Sequence, residues 1–321
     1  MAARPLHGGH PFPGKAMMTS VQNRVPKTRV KSWRTRMREP AAGLLFVLPM
    51  LVLFVIFRYV PTLGAAGMSF TDYRLNGDFS FVGAENYQRL VQDPIFISSL
   101  GTTLLYAVIY VPLVFVIAMA TAILLHNVVW AKGFFRGALF LPYVTSFVLA
   151  GIIWIWVYAS DGFVNGILSQ IDWAPIPFLT GDQFVILGSL SVVSAWRGFG
   201  YSMLILLAGL KNVPEELTEA AMLDGASPVQ RFFRITFPLL RPVVFFVMVI
   251  ETIAAFQVFD VIYVMTGGGP ARASYSLVYL LYEQGFKFFD FGYAATIGIA
   301  LFLIVLVISI IQRRFLDREI T

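Results

Sequence analysis

Apolar residues in this chain neither alternate nor mark a single helical stripe; they run in long blocks separated by short polar stretches. A helix crosses the hydrocarbon core of a bilayer with about 20 apolar residues. Six blocks reach that length, at roughly residues 41–60, 100–125, 138–158, 184–210, 243–265 and 293–311. Backbone polar groups in lipid must be satisfied inside helices or closed barrels. Strict alternation is almost absent, which argues against a barrel. The predicted class is therefore all-α, a polytopic membrane protein with six transmembrane helices.

Composition agrees with the pattern. Of 321 residues, 58% are hydrophobic and 13% charged, against roughly 25% charged in soluble domains. Without cysteine there are no disulfides, thiolate metal sites or cysteine nucleophiles. His7 and His10 lie in a polar tail and His126 ends an apolar block, so they read as tail and interface residues. No phosphate-binding G-x-x-x-x-G-K-[ST] loop, HExxH helix or convincing carboxylate pair occurs. No catalytic residue and no metal site is predicted.

The net charge of +6 raises the question of nucleic acid, but its distribution points to membrane orientation instead. With the N-terminus inside, segments 1–40, 126–137, 211–242 and 312–321 hold 18 of the 24 basic residues. The stretch 159–183 carries Asp161, Asp172 and Asp182 and no basic residue. The positive-inside rule then places both termini in the cytoplasm. Residues 1–40 are basic, rich in proline and glycine, and are expected to be disordered near anionic headgroups. The first apolar block starts late for a signal peptide and lacks a convincing cleavage site, so it is expected to remain as the first span. Met17 and Met18 are alternative starts. The expected organisation is a tail at 1–40, a six-span domain at 41–318 and a cytoplasmic end at 319–321.

The most informative polar segment is 211–242, between the fourth and fifth blocks. Pro214 sits where a helix starts, with Glu215 and Glu216 in its positive first turn. Leu217, Ala220 and Ala221 give it a small apolar face, and Asp224-Gly225 ends it. Ser227, Pro228 and Gln230 spell a capping box for a second helix. Pro238 and Pro242 are expected to stop or kink that helix before the fifth span. Such a helical pair needs a partner for its apolar side: lipid, or another protein.

Glu219-Ala220-Ala221, then Gly225, then Ile235 and Pro238, resembles the "EAA" loop of bacterial ABC-importer permeases. The likeness is greatest to the sugar and glycerol-phosphate group, over almost all of 41–318. Further matches are Phe81-Val-Gly-Ala-Glu-Asn-Tyr87, Phe135-Arg136 with Leu141-Pro142, and Phe259-Asp260 followed by Thr266-Gly-Gly-Gly-Pro270. The resemblance implies the type I ABC importer permease fold in a bacterial inner membrane. It implies an ATP-binding-cassette ATPase dimer that binds ATP and Mg, a second related permease, and an external solute-binding protein. No cofactor is expected in this chain. Carried over by position, Glu219 and Asp224 make polar contacts with the ATPase, Ala220 and Ala221 pack closely, and Gly225 forms the corner. About 35 residues separate the first two spans, so the large external insertion of the maltose-type subunit is missing. The expected activity is uptake of a mono- or oligosaccharide by alternating access, with glycerol 3-phosphate or a glycerophosphodiester as the second reading.

Charges inside the spans are expensive, roughly 2.5–3.5 kcal/mol at mid-membrane. Arg197, after Trp196, and Glu251 therefore face protein or water, as pathway residues or as structural pairs. With Tyr201, Phe259 and Asp260 they form the predicted substrate-pathway set. Trp154, Trp156, Tyr158 and Trp173 read either as stacking platforms for sugar rings or as an interfacial belt. Gly267-Gly268-Gly269-Pro270 reads as a turn, and 274–286 as an amphipathic helix. An ion-coupled secondary transporter is the alternative of another class; no internal repeat supports it.

Overall fold

The computed structural model describes residues 33–75, 79–128 and 130–316. The chain divides into two compact units, Met1–Arg58 and Tyr59–Thr321. In the first, helix α1 spans Trp33–Phe54. Helical structure thus begins before residue 41, because Arg34-Thr-Arg-Met-Arg38 contains good helix formers and no breaker. The remaining expectation of disorder, over 1–32, lies outside the described residues, as does the end at 319–321.

Among the described residues, six helical stretches are long and apolar enough to cross a membrane: Leu44–Met68, Pro94–Asn127, Phe147–Ser169, Gln183–Leu210, Pro228–Phe256 and Phe291–Arg314. In the second unit these are built from α2 (Val60–Met68), α4 (Pro94–Asn127), α6 (Phe147–Tyr158) with α7 (Phe163–Ser169), α8 (Gln183–Leu210), α11 (Phe237–Phe256) and α14 (Phe291–Leu316). Shorter helices complete it: α3 (Glu85–Gln92), α5 (Lys132–Val144), α9 (Glu215–Leu223), α10 (Pro228–Arg231), α12 (Asp260–Met265) and α13 (Leu277–Tyr282).

Helices α4 and α8 form the centre. Val114, Ala118 and Ala122 of α4 are fully buried at a four-residue spacing, and Ile186, Leu190 and Val193 of α8 at spacings of four and three. The opposite face of α4 exposes Val108, Val116 and Leu124. A helix apolar all round is what a lipid-exposed span requires. Caps at the polar ends fix where spans begin. The Asp93 carboxylate accepts from the Ile95 amide at 2.8 Å, and that of Asp182 from the Val185 amide at 2.9 Å. Where α5 meets α8, a Cβ on Gly200 would stand 2.5 Å from the Leu139 carbonyl oxygen. Only glycine permits that approach.

Three expectations change. The third block is two helices, α5 and α6, parted at Thr145-Ser146 just after Pro142. The residue before α6 is extended, which uniform apolarity concealed. The fifth block likewise breaks at Gln257-Val258-Phe259, between α11 and α12. Of the stop or kink expected at Pro238 and Pro242, the stop does not occur: the helix runs from Pro228 to Phe256. A π-helical turn at Phe232–Thr236 widens the helix ahead of Pro238, and Pro238 takes a position in the first turn of α11. The missing proline amide is thereby absorbed without a stop. The glycine turn is present, with Gly267 and Gly268 at positive φ. The helix expected over 274–286 is α13 continued by a π-helical turn at Glu283–Lys287.

Candidate functional site

Two sites emerge at different levels of the helical bundle. The first is a cavity of about 300 Å³ between the two helix breaks. Arg197, Tyr201, Glu251, Phe259 and Asp260 all line it. Trp196, the remaining member of the predicted set, does not; its indole packs edge-on against Trp154 at 5.7 Å.

Arg197 reaches the cavity from the middle of α8. Its Nε donates to the Thr145 carbonyl at 3.4 Å, an oxygen freed by the break between α5 and α6. Its guanidinium lies 4.1 Å above the Phe147 ring and 5.6 Å from that of Tyr143. Tyr143 in turn stacks on Tyr201, with centroids 5.1 Å apart and planes within 14°. The cation is thus held by a carbonyl and aromatic faces, with no carboxylate in contact among the described residues. That leaves most of its fork free for a solute.

Glu251 is buried, 3% exposed. The Tyr110 hydroxyl donates to its Oε2 at 2.7 Å, and the Ser202 hydroxyl bonds its other oxygen. Tyr110 stacks on Tyr106, with centroids 5.5 Å apart and planes within 8°. Both rings line the cavity. Gly198 keeps α8 close here: a Cβ there would stand 3.0 Å from the Tyr110 hydroxyl. Glu251 is therefore both a cavity residue and a member of an interhelical hydrogen-bond network.

The sequence reading missed Tyr106, Tyr110, Tyr143, Phe147, Ser194 and Gln257 of this lining. The signal for the first two was present, as tyrosines four residues apart on one face of an apolar helix. Ser194 Oγ is buried with no hydrogen-bond partner among the described residues. Gln257 and Phe259 come from the second helix break, invisible in an apolar run. Trp154 and Tyr158 pack on each other at 5.1 Å, and neither lines the cavity. Trp156 and Trp173 are exposed.

The second site is the corner between α9 and α10. Asp224 caps α9, and Gly225 follows at φ +79°. The Ala226 amide bonds the Ala221 carbonyl at 2.9 Å and the Gly225 amide bonds that of Met222 at 3.0 Å. This is a Schellman closure, for which the left-handed glycine is needed. Both halves of the Ser227–Gln230 capping box are formed. Glu215, Glu219, Ala220 and Asp224 are exposed, Ala221 and Pro238 half-buried. Leu217 and Leu223 are exposed as well, Leu223 by 90%, so the apolar face of α9 has no cover within this chain's described residues.

A family model described as binding-protein-dependent transport system inner membrane component matches residues 114–320. The chain belongs to this family. It is a permease subunit of an ABC importer and a multi-pass membrane protein. It is 34% identical to the sn-glycerol-3-phosphate transport system permease protein UgpA of Agrobacterium fabrum, over 86% of this chain and 94% of the relative. It is also 34% identical to the arabinooligosaccharides transport system permease protein AraP of Bacillus subtilis, over 93% and 96%. A chain in the crystal structure of a bacterial ABC transporter for import of the acidic polysaccharide alginate shares the fold, with a TM-score of 0.76. That match is 22% identical and covers 90% of this chain and 99% of that one. A second alginate transporter structure, in complex with a pentasaccharide-bound periplasmic protein, matches with a TM-score of 0.74 at 24% identity, over 88% and 96%. As a binding-protein-dependent permease, the chain is not read as an ion-coupled secondary transporter.

Proposed function

We propose that this permease forms half of a carbohydrate pathway through the membrane and passes the energy of ATP hydrolysis from a partner subunit to it. The observation that carries the solute reading is the lining of the cavity between the helix breaks. Aromatic faces at Tyr106, Tyr143 and Tyr201 suit sugar rings, and Arg197 and Gln257 offer hydrogen bonds to hydroxyls. Irregular backbone at membrane depth is tolerated where it lines a cavity, and broken helices there mark transport sites in other membrane proteins. A glycerol phosphate ester is the second reading, favoured by Arg197 and by the UgpA relatives. The carboxyl groups of Glu251 and Asp260 line the same cavity and make it a poorer host for a phosphate dianion.

The coupling reading rests on helix continuity. Glu215, Glu219, Ala220 and Ala221 of α9 meet the ATPase, with Asp224 adding a polar contact and Gly225 the corner. Pro238 lies within the helix that runs from Pro228 to Phe256 and carries Glu251 near its far end. A displacement of α9 then reaches the cavity through one continuous helix. The remaining parts are a second related permease, an external binding protein, the ATPase dimer with its ATP and Mg, and lipid around the spans. The chain itself is neither an enzyme nor a cofactor or metal binder in this reading, and both its termini are cytoplasmic.

The test is the ligand bound by the cognate external binding protein, followed by uptake of that ligand into vesicles holding the assembled importer. A sugar taken up with ATP supports the reading. Uptake of a glycerol phosphate ester with no sugar transport overturns the solute assignment and leaves the coupling assignment standing.

A further inference from the structure

A cavity of about 610 Å³ opens at the coupling-loop end of the second unit, lined from five helices. Four cationic residues face it, Lys132 and Arg136 of α5, Lys211 at the end of α8 and Arg231 of α10, against two carboxylates, Glu215 and Glu219. No salt bridge within 4.0 Å joins any of these six residues among the described ones. Lys132 donates instead to the His126 carbonyl at 3.1 Å. The Nε atoms of Arg136 and Arg231 are both shielded from solvent and have no hydrogen-bond partner among the described residues. A buried donor without an acceptor is costly, and more so when it carries charge. The two arginines stand on separate helices and line one cavity, where a single acceptor can serve both guanidinium forks.

The chemistry of that acceptor follows from the donors. Arginine forks fit planar or tetrahedral oxyanions bidentately, and lysines add point charge. The lining carries four positive residues and two negative ones, which suits a group of one or two negative charges. Oxygens directed to α5 on one side and α10 on the other suit a tetrahedral phosphate better than a flat carboxylate. Leu207, Leu210 and Phe232 add an apolar wall beside the charges.

We propose that this cavity binds a phosphate group between Arg136 and Arg231, carried by an anionic phospholipid or free as inorganic phosphate. The bound group would bridge α5 to α10 and so steady the start of the helix that leads from the coupling loop to Glu251. The cavity lining takes in Glu215 and Glu219 of α9 but not Leu223, and shares no residue with the solute cavity.

The experiment uses the assembled importer, with wild-type chain and with Arg136→Gln and Arg231→Gln. One arm follows thermal unfolding as inorganic phosphate replaces chloride at constant ionic strength. The other uses native mass spectrometry to compare retained phosphatidylglycerol with retained diacylglycerol, which has the tails and no phosphate. The ATPase partner has its own affinity for phosphate, so the reading is the difference between wild type and variants. The expected result is binding about tenfold weaker or more in each variant, in at least one arm, and that arm names the source. Arg136→Lys and Arg231→Lys keep the charge and lose the fork, and are expected to fall between wild type and the glutamine variants. Equal binding by wild type and all variants in both arms overturns the proposal.

Discussion

The Tyr110 hydroxyl donates to Glu251 Oε2 at 2.7 Å, joining α4 to α11 across 141 residues of sequence. With the Ser202 hydroxyl on the other oxygen, three helices meet at one buried carboxyl group. Removing a donor from a buried group costs about 1–3 kcal/mol. Tyr110→Phe should therefore lower the unfolding temperature of the assembled complex, and Glu251→Ala should lower it further by leaving both hydroxyls unpaired. Thermal unfolding in detergent checks this. An unchanged midpoint for Tyr110→Phe would mean that the bond adds nothing to stability.

Arg197 is held by the Thr145 carbonyl and by two aromatic rings, with no carboxylate partner among the described residues. A hydrogen bond to a charged group is worth roughly 1.5–3 kcal/mol. Arg197→Ala should then reduce uptake at limiting solute by about tenfold or more, while the complex still assembles. Wild-type uptake by a correctly assembled Arg197→Ala complex would remove Arg197 from the pathway.

Gly225 sits at φ +79°, and a Cβ added there meets nothing within 4 Å. Substitution is therefore penalised by backbone conformation alone, roughly 1–2 kcal/mol for an ordinary L residue. Gly225→Val should uncouple ATP hydrolysis from transport or prevent assembly, with all six spans still inserted. Gly225→Asn should be milder, since asparagine tolerates this region. The ratio of solute transported to ATP hydrolysed is the readout, and normal transport by Gly225→Val would refute the need for this corner.

Gly200 poses the opposite case. A Cβ there would meet the Leu139 oxygen at 2.5 Å and the Phe140 Cα at 3.0 Å, both backbone atoms that yield little. Gly200→Ala should force α5 from α8 and destabilise by about 1–3 kcal/mol. Gly188→Ala on the same helix meets nothing within 4 Å and serves as the control.

Outside the spans, Glu283 accepts from Lys287 Nζ at 2.7 Å and from the Tyr275 hydroxyl. Burial pushes its carboxyl up, and the two partners outweigh that and hold it below the usual glutamate range. A pKa lowered by folding adds stability that is complete above the unfolded value, about 4.3. That stability is lost as pH falls through the folded value. Unfolding temperature should thus drop on acidification below about pH 4.3, and Glu283→Gln should flatten that part of the profile.

Much of this was legible in the sequence because the membrane imposes a strong signal. Long apolar blocks sufficed for the six spans, and the run from Pro214 to Gln230 spelled its caps and corner residue by residue. The two helix breaks were hidden because Thr145-Ser146 and Gln257-Val258-Phe259 sit inside apolar stretches, and hydropathy averages over them. The continuity of Pro228–Phe256 was hidden for a different reason. Proline signals a stop locally, and only the π-helical turn before it shows how the helix continues. Arg197 and Glu251 were visible as costly charges, whereas their convergence on one cavity depends on packing between helices far apart in sequence.

ATP hydrolysis in a partner subunit is expected to drive solute through this permease. The most direct measurement is solute uptake by proteoliposomes of the assembled importer, with ligand-loaded binding protein outside and ATP inside. Uptake should require ATP and should be absent when only a proton or sodium gradient is imposed. Uptake driven by the ion gradient without ATP would contradict the account.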